Sequence, residues 1–221
     1  MANKLNTLNL RKLEDDESPQ KETDEWGLTA AEREAVDLRL TTVDTISKDA
    51  SEREPLTELQ ESGLTSLNFA EVIDGGSASL IQYDDFYQDV PEHILNFNKH
   101  SWLNELQKIK QGKQASFPMS LRDATKIQHL VVVRTHAYTA PVVDQKNNSF
   151  TKGTTNGDAL LYDLNTGDYL GGTPWSAESE AEVQTLRDDL QAGLNTDMLR
   201  VGTAAVKEQV KKLAETVQYK K

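Results

Sequence analysis

The chain has 221 residues and a formal net charge of −12, from 36 acidic and 24 basic residues, and it contains no cysteine. The lack of cysteine excludes disulfides, thiolate nucleophiles and cysteine-ligated metals. An acidic chain repels phosphate backbones, and no basic cluster with interleaved aromatic residues offsets that repulsion. Nucleic-acid binding is therefore not expected. The length suits one domain with a sizeable core.

The charge is unevenly spread along the chain. Residues 1–62 carry 16 acidic and 8 basic residues, so two thirds of the net charge lies in less than a third of the length. Within that stretch, residues 1–26 are polar and include an acidic run at 14–17. We predict a flexible acidic tail over 1–26 and a single α+β domain over 27–221. A peptide that docks on a basic partner is the alternative interpretation of the tail.

Hydropathy bears on membranes and on compartment. No segment approaches 18 consecutive apolar residues, so no membrane span is expected. The first thirty residues lack an apolar signal-peptide core, so no signal peptide is expected in this sequence. The compartment stays open between the cytoplasm and an extracytoplasmic location, periplasm or cell surface. The tether-like start favours the extracytoplasmic one.

A helix is predicted to begin at Thr29, because Thr29 and Glu32 have the spacing of a capping box. A narrow apolar stripe follows at helical spacing, so this helix should lie on a larger body: Val36, Leu40 and Val43. Pro55 and Gly63 bracket a second, short helix predicted over 56–61.

The middle of the chain carries the strand signals. Residues 130–133 are an unbroken, mostly β-branched apolar run, which indicates a strand covered on both faces. Pro141 should end that strand, and a polar loop is expected over 144–156. A second strand at 159–164, a hairpin turn at Asn165-Thr166-Gly167 and a short third strand at 168–170 should follow.

The C-terminal part is predicted to be helical. Ser179 and Glu182 have capping-box spacing, and apolar residues then recur in steps of three and four. Gly193 and Asn195 interrupt the pattern, which favours two amphipathic helices, about 178–193 and 196–218. The predicted fold is therefore α+β: a mainly antiparallel sheet centred on 129–173 with helices packed on one side.

One face of the central strand is the candidate binding site. Side chains alternate along a strand, so Arg134, His136 and Tyr138 should project from the same side, and Tyr162 should join them from the neighbouring strand. Together they suit an anion-binding or aromatic platform. The alternative is a solvated sheet face or a face covered by a helix.

No catalytic residue, metal ligand or cofactor is predicted. The sequence has no GxSxG elbow, no HExxH, no P-loop and no GxGxxG after a strand. Asp84, Asp85 and Asp89 lie among aromatic residues, but their spacing does not match that of a calcium loop.

Three functional hypotheses follow. The first is a non-catalytic binding or adaptor protein of a bacterial cell envelope, because catalytic signatures are lacking and the start looks like a tether. The second is an enzyme that uses dispersed carboxylates and a histidine for acid–base chemistry. The third is a structural protein that self-associates through its C-terminal helices. The ligand or partner, whether a protein or a small molecule, is not specified by the sequence.

Overall fold

The computed structural model describes most of the chain from Asp24 to Gln218, and the account below concerns those residues alone. They are 24, 27–62, 64, 70–74, 94–95, 108–113, 127–144, 146–147, 149–181 and 190–218.

The described residues contain two long helices and seven strands. In chain order these are α1 (Ala30–Glu52), β1 (Ala70–Asp74), β2 (Ile94–Leu95), β3 (His129–Thr139), β4 (Val142–Asp144), β5 (Ser149–Thr151), β6 (Thr154–Asp163), β7 (Tyr169–Glu178) and α2 (Leu190–Gln218).

Five strands form one sheet in the order β2-β1-β3-β6-β7. The pairs β1–β2 and β1–β3 are parallel and short, whereas β3–β6 and β6–β7 are antiparallel and long. The predicted α+β class and mainly antiparallel sheet are confirmed. The apolar run at 130–133 lies at the centre of this sheet, fully enclosed.

Helix α1 begins where the sequence indicates. The Thr29 hydroxyl accepts a hydrogen bond from the Glu32 backbone N–H, and the Glu32 carboxylate accepts one from the Thr29 backbone N–H, so the capping box is complete. Asp24 joins the folded body ahead of the cap by bonding with Leu28. The buried face of α1 packs on a core shared with the sheet: Val36, Ile46, Ala50, Leu130, Val132, Leu160 and Tyr162.

The segment 53–62 after α1 is not the short helix predicted over 56–61. It is an extended segment, here called the strap, that crosses the sheet and reaches its edge at β7. The backbone N–H and C=O of Gln60 both bond to Gly172 on β7. The Leu56 N–H donates to Asp158 on β6 at 3.0 Å. Long-range bonds to the sheet therefore replace the local bonds that a helix would have made.

The hairpin between β6 and β7 has the predicted turn. Gly167 has φ of +83°, a conformation that glycine adopts without strain. Its N–H donates to the Asp163 carbonyl at 2.8 Å, and the Asn165 N–H donates to the Asp163 side chain at 2.7 Å. The strands are longer than predicted, because β6 begins at Thr154 and β7 continues to Glu178.

The region 144–156 is not wholly a loop. β4 and β5 pair antiparallel as a small arm, with Val143 opposite Phe150. The Gln191 side chain ties the arm to α2, since it donates to the Pro141 carbonyl at 2.7 Å and accepts from the Val143 N–H at 3.3 Å. β3 ends at Thr139, before Pro141, as predicted.

Helices cover both faces of the sheet, not one side as predicted. The α1 face carries Leu160 and Tyr162, which belong to the α1 core. Residues of opposite parity point the other way. On that side, a Cβ at Gly202 of α2 would lie 3.6 Å from the Thr155 methyl of β6. The two faces of the sheet are accordingly named the α1 face and the α2 face.

Helix α2 runs without interruption through the predicted break at 194–195. Its apolar stripe is buried in the chain, so packing on the sheet outweighs the low helix propensity of Gly193 and Asn195. Predicted helix residue Glu178 belongs to β7. The Ser179 hydroxyl accepts from the Gly153 N–H, and its capping partner Glu182 lies outside the described residues. The buried stripe is Leu194, Met198, Val206, Val210 and Leu213.

Some predictions concern residues that the structure does not describe. They are the acidic tail over 1–26, of which only Asp24 is described, residues 182–189 of the predicted helix 178–193, and the carboxylates Asp84, Asp85 and Asp89.

Two glycines allow a matched test of this packing. Gly157→Ala should destabilise the protein, since its Cβ would clash with the Arg134 carbonyl group and lie only 2.8 Å from Cζ2 of the Trp175 ring. We expect a loss of about 1–3 kcal/mol or more. Gly202→Ala meets only an ordinary contact, and should gain about 0.5–1 kcal/mol from helix propensity. Urea unfolding measures both; a destabilised Gly202→Ala variant would contradict the placement of α2.

Candidate functional site

A buried ion pair lies at the centre of the α1 face. Arg134 on β3 and Asp158 on β6 are directly opposite in the antiparallel register. Arg134 Nε donates to Asp158 Oδ1 at 2.7 Å, and Nη2 donates to Oδ2 at 2.6 Å. This is a two-pronged contact, the strongest form of arginine–carboxylate pairing. The Asp158 side chain has 0% of its surface exposed and that of Arg134 has 11%.

The same guanidinium holds the end of α1. Arg134 Nη1 donates to the carbonyls of Ala50 and Arg53, at 2.6 and 2.7 Å, and Nη2 donates to the Glu54 carbonyl at 3.3 Å. The last carbonyls of a helix lack internal partners and carry partial negative charge, so a cation is favourable there. The five N–H donors of Arg134 thus match five acceptors of the chain.

Asp158 accepts hydrogen bonds from three residues on two segments of the chain, β3 and the strap. Besides Arg134, it accepts from the Leu56 N–H of the strap and contacts His136 Nε2 at 2.9 Å. Burial alone would raise the pKa of Asp158, but the hydrogen bonds from Arg134, Leu56 and His136 outweigh it. The net pKa lies below the usual range, so the carboxylate is ionised at neutral pH.

His136 is oriented by this carboxylate. An ionised carboxylate can only accept, so the Nε2 atom of His136 carries the proton in the contact with Asp158. In the neutral ring Nδ1 is then the acceptor, and the side chain is 25% exposed. His136 is also the extra residue of a β-bulge, because pairing with β6 shifts between Thr135 and Ala137.

The bulge places Tyr138 on the other side of the sheet. Tyr138 pairs with Thr155, which lies on the α2 face, whereas Arg134 pairs with Asp158 on the α1 face. The prediction that Arg134, His136 and Tyr138 share one face is therefore wrong for Tyr138. Alternation fails because a bulge adds one residue and reverses the order beyond it.

Tyr162 lies on the α1 face but is completely buried. Its hydroxyl donates to Asp49 Oδ2 at 2.8 Å, and Asp49 also pairs with Arg53 one turn later on α1. Burial and the bond to Asp49 raise the pKa of Tyr162. Arg53 lies over the Tyr169 ring, 3.6 Å from its centroid, and the two tyrosine rings pack edge to face at 5.6 Å. Tyr162 is a structural anchor of α1.

A groove borders this network along the strap. Its volume is about 460 Å³, and it is rich in carboxylates. No group of three or more metal-ligating side chains comes together in the part of the chain that the structure describes. In the same residues, neither helix is both long and apolar enough to cross a bilayer. The acidic lining consists of Asp49, Glu52, Glu54 and Glu58.

Sequence patterns did not predict Asp158, the residue on which the site depends. Its one signal is a carboxylate at the head of the apolar strand 159–162, which would be costly to bury unpaired. Of the four residues predicted, the structure brings Arg134 and His136 together around Asp158. It places Tyr162 beneath α1 and Tyr138 on the opposite face.

Comparisons with known proteins add little to this geometry. No protein-family model matches the sequence, and no curated protein matches it. A similar solved structure is that of the hypothetical protein CT253 from Chlamydia trachomatis. The two are 12% identical, the match covers 67% of this chain and 95% of that one, and the TM-score is 0.36. A likeness at this level supports no conclusion about fold or function.

Removing one half of the ion pair should be costly. We expect Arg134→Met to lower the free energy of unfolding by about 3–5 kcal/mol, because it leaves the buried Asp158 charge unpaired. The double variant Arg134→Met/Asp158→Leu should recover part of that loss, since neither charge is then buried alone. Chemical denaturation measures all three proteins, with His136→Gln as a milder control. A single variant as stable as the wild type would contradict the assignment.

Acid should weaken the fold through Asp158. Its pKa is lowered in the folded state, so the stabilisation is complete above the unfolded value of about 3.9. It is lost as pH falls through the lower folded pKa, since the unfolded chain binds the proton first. We expect unfolding free energy to decline below about pH 5, and to decline less in Asp158→Asn. Equal slopes for wild type and variant would contradict this.

Proposed function

We propose that this protein is a non-catalytic binding or adaptor protein, with a bacterial cell envelope as the setting that its sequence favours. The observation that carries the proposal is a set of exposed large apolar side chains near the β4–β5 arm. Tyr138 is 47% exposed, Val142 59% and Leu190 44%. Contiguous patches of large exposed apolar side chains are typical of interaction surfaces, and we propose that these three form one.

The arm surface, defined as Tyr138, Val142 and Leu190, belongs to one end of the domain. Tyr138 is near the end of β3, Val142 begins β4, and Leu190 is the first described residue of α2. The Gln191 side chain bonds the backbone on both sides of Val142, at Pro141 and Val143, and so keeps the start of α2 beside the arm. A surface held by the scaffold in this way is prepared for binding at little entropic cost.

The partner that fits is another protein with an apolar contact surface and basic surroundings. Aromatic and aliphatic side chains are typical anchors of protein interfaces. The net charge of −12 disfavours a second copy of this chain and favours a partner of opposite sign. The apolar stripe of α2, which motivated the hypothesis of self-association, is already buried against the sheet.

Charge substitutions on the arm surface test the proposal. We expect Val142→Asp/Leu190→Asp to lose a protein that the wild type captures from native extract. Leu38→Asp is the matched control, because Leu38 is 57% exposed but lies on α1. The control should keep that protein, and all variants should keep the wild-type melting temperature within a few degrees.

Quantitative mass spectrometry of the captured proteins, with sedimentation of the pure chain, gives the readout. A captured set that the arm variants leave unchanged would refute the arm surface as the binding site. If the pure protein forms dimers and Val142→Asp dissociates them, the arm surface binds a second copy of this chain and not a different protein.

A second candidate function rests on His136. A histidine whose Nε2–H is held by a buried carboxylate presents Nδ1 as a base, which is how carboxylate–histidine pairs orient an imidazole for acid–base catalysis. The Asp158 charge is, however, already matched by Arg134, and this favours a structural role. Hydrolysis of aryl ester or aryl phosphate probes that His136→Gln abolishes would support an enzyme. Hydrolysis that the variant retains would exclude His136 as its base.

A further inference from the structure

The α2 face of the sheet has an unusual centre. Thr155 and Gly157 are successive residues of β6 on this face, and Trp175 of β7 is directly opposite Gly157. A Cβ at Gly157 would lie 2.8 Å from Cζ2 of Trp175, so the indole ring lies over the glycine. Helix α2 covers Thr155 at Gly202. The site is therefore enclosed by sheet, indole and helix.

Two polar groups in this enclosure lack a hydrogen-bond partner within the described structure. They are the Nε1–H of Trp175 and the hydroxyl of Thr155. Trp175 is 3% exposed and Thr155 is 2% exposed, so bulk solvent reaches neither side chain. An unpaired buried polar group is costly, and native proteins seldom leave one without a hydrogen-bond partner.

The strand register places the two groups at neighbouring positions on the same face of the sheet. Thr155 and Gly157 are two residues apart on the strand, which is about 6.6 Å, and the indole ring lies over Gly157. A molecule that bonds both groups spans about 5.6 Å, twice an ordinary hydrogen-bond length. It must accept from the indole and bond the hydroxyl, and it must be small enough to lie beneath α2. Water meets all of these requirements.

We infer that a buried water molecule lies between α2 and the β6–β7 hairpin, bonded to the Trp175 Nε1–H and the Thr155 hydroxyl. The water is a structural ligand of this chain. It forms hydrogen bonds with the two polar groups that the packing around Gly157 and Gly202 encloses.

The direction of the stability change on Thr155→Val distinguishes a hydroxyl that is bonded to water from one that has no partner. Thr155→Val keeps the shape of the side chain and removes the hydroxyl. We expect it to raise the unfolding equilibrium constant about fivefold, since it removes a partner of the water. Thr173→Val is the control for the loss of a hydroxyl whose partners belong to the chain, because the Thr173 hydroxyl lies within hydrogen-bond distance of Gln209 and the Pro174 carbonyl. An unchanged or lowered constant for Thr155→Val would overturn the inference.

A double-mutant cycle with Trp175→Phe tests whether the two groups share the water. We expect Trp175→Phe to cost at least threefold less in the Thr155→Val background than alone, and the same in the Thr173→Val background as alone. Additive effects at Thr155 and Trp175 would overturn a shared water. Cross-relaxation between the indole Nε1–H of Trp175 and water, measured by NMR in wild type and Thr155→Val, gives a direct readout. Its absence from the wild type would also overturn the inference.

Discussion

The ion pair between Arg134 and Asp158 is the contact on which the α1 face depends. It joins two neighbouring strands, fixes the end of α1 through the carbonyls of Ala50 and Arg53, and anchors the strap through the N–H of Leu56. Desolvating two charges is expensive, so a buried pair is tolerable only where nearly every donor and acceptor is satisfied. That condition is met here, since the five donors of the guanidinium have five acceptors. The network specifies where the helix ends and which way the chain leaves it.

The β-bulge at His136 divides β3 into two parts with different surroundings. Before it, strand residues alternate between the cores under α1 and α2, and all are buried from Leu130 to Val133. Beyond it, the order reverses and the strand residues are exposed, Tyr138 among them. One extra residue therefore separates the structural ion pair from the surface that we propose for binding. A bulge next to a functional surface is a common way to redirect a side chain.

The sequence predicted local structure well where the signal was local. The capping box at Thr29, the turn at Gly167 and the apolar core of β3 depend on residues a few positions apart, and all three are present in the structure. Prediction from the sequence failed where contacts between distant residues determine the structure. The strap is extended because Asp158 and Gly172 bond it, more than 100 residues later, and α2 is continuous because the sheet buries its stripe. The pairing of Arg134 with Asp158 depends on the register of β3 and β6, whose paired residues lie 24 positions apart here, so no local spacing in the sequence indicated it.

The roles of the candidate site residues could not be predicted from the sequence for the same reason. A strand bearing arginine, histidine and tyrosine in alternation resembles a binding platform when each side chain is assumed to be free. In the folded chain the arginine has no donor left, Tyr162 is engaged by Asp49, and the histidine is held by a shared carboxylate. Polar residues near the middle of a covered sheet tend to bond with other groups of the same chain, because burying a polar group without a hydrogen-bond partner is costly. Apolar residues at its end are under no such demand, and their exposure is the basis of the binding surface that we propose.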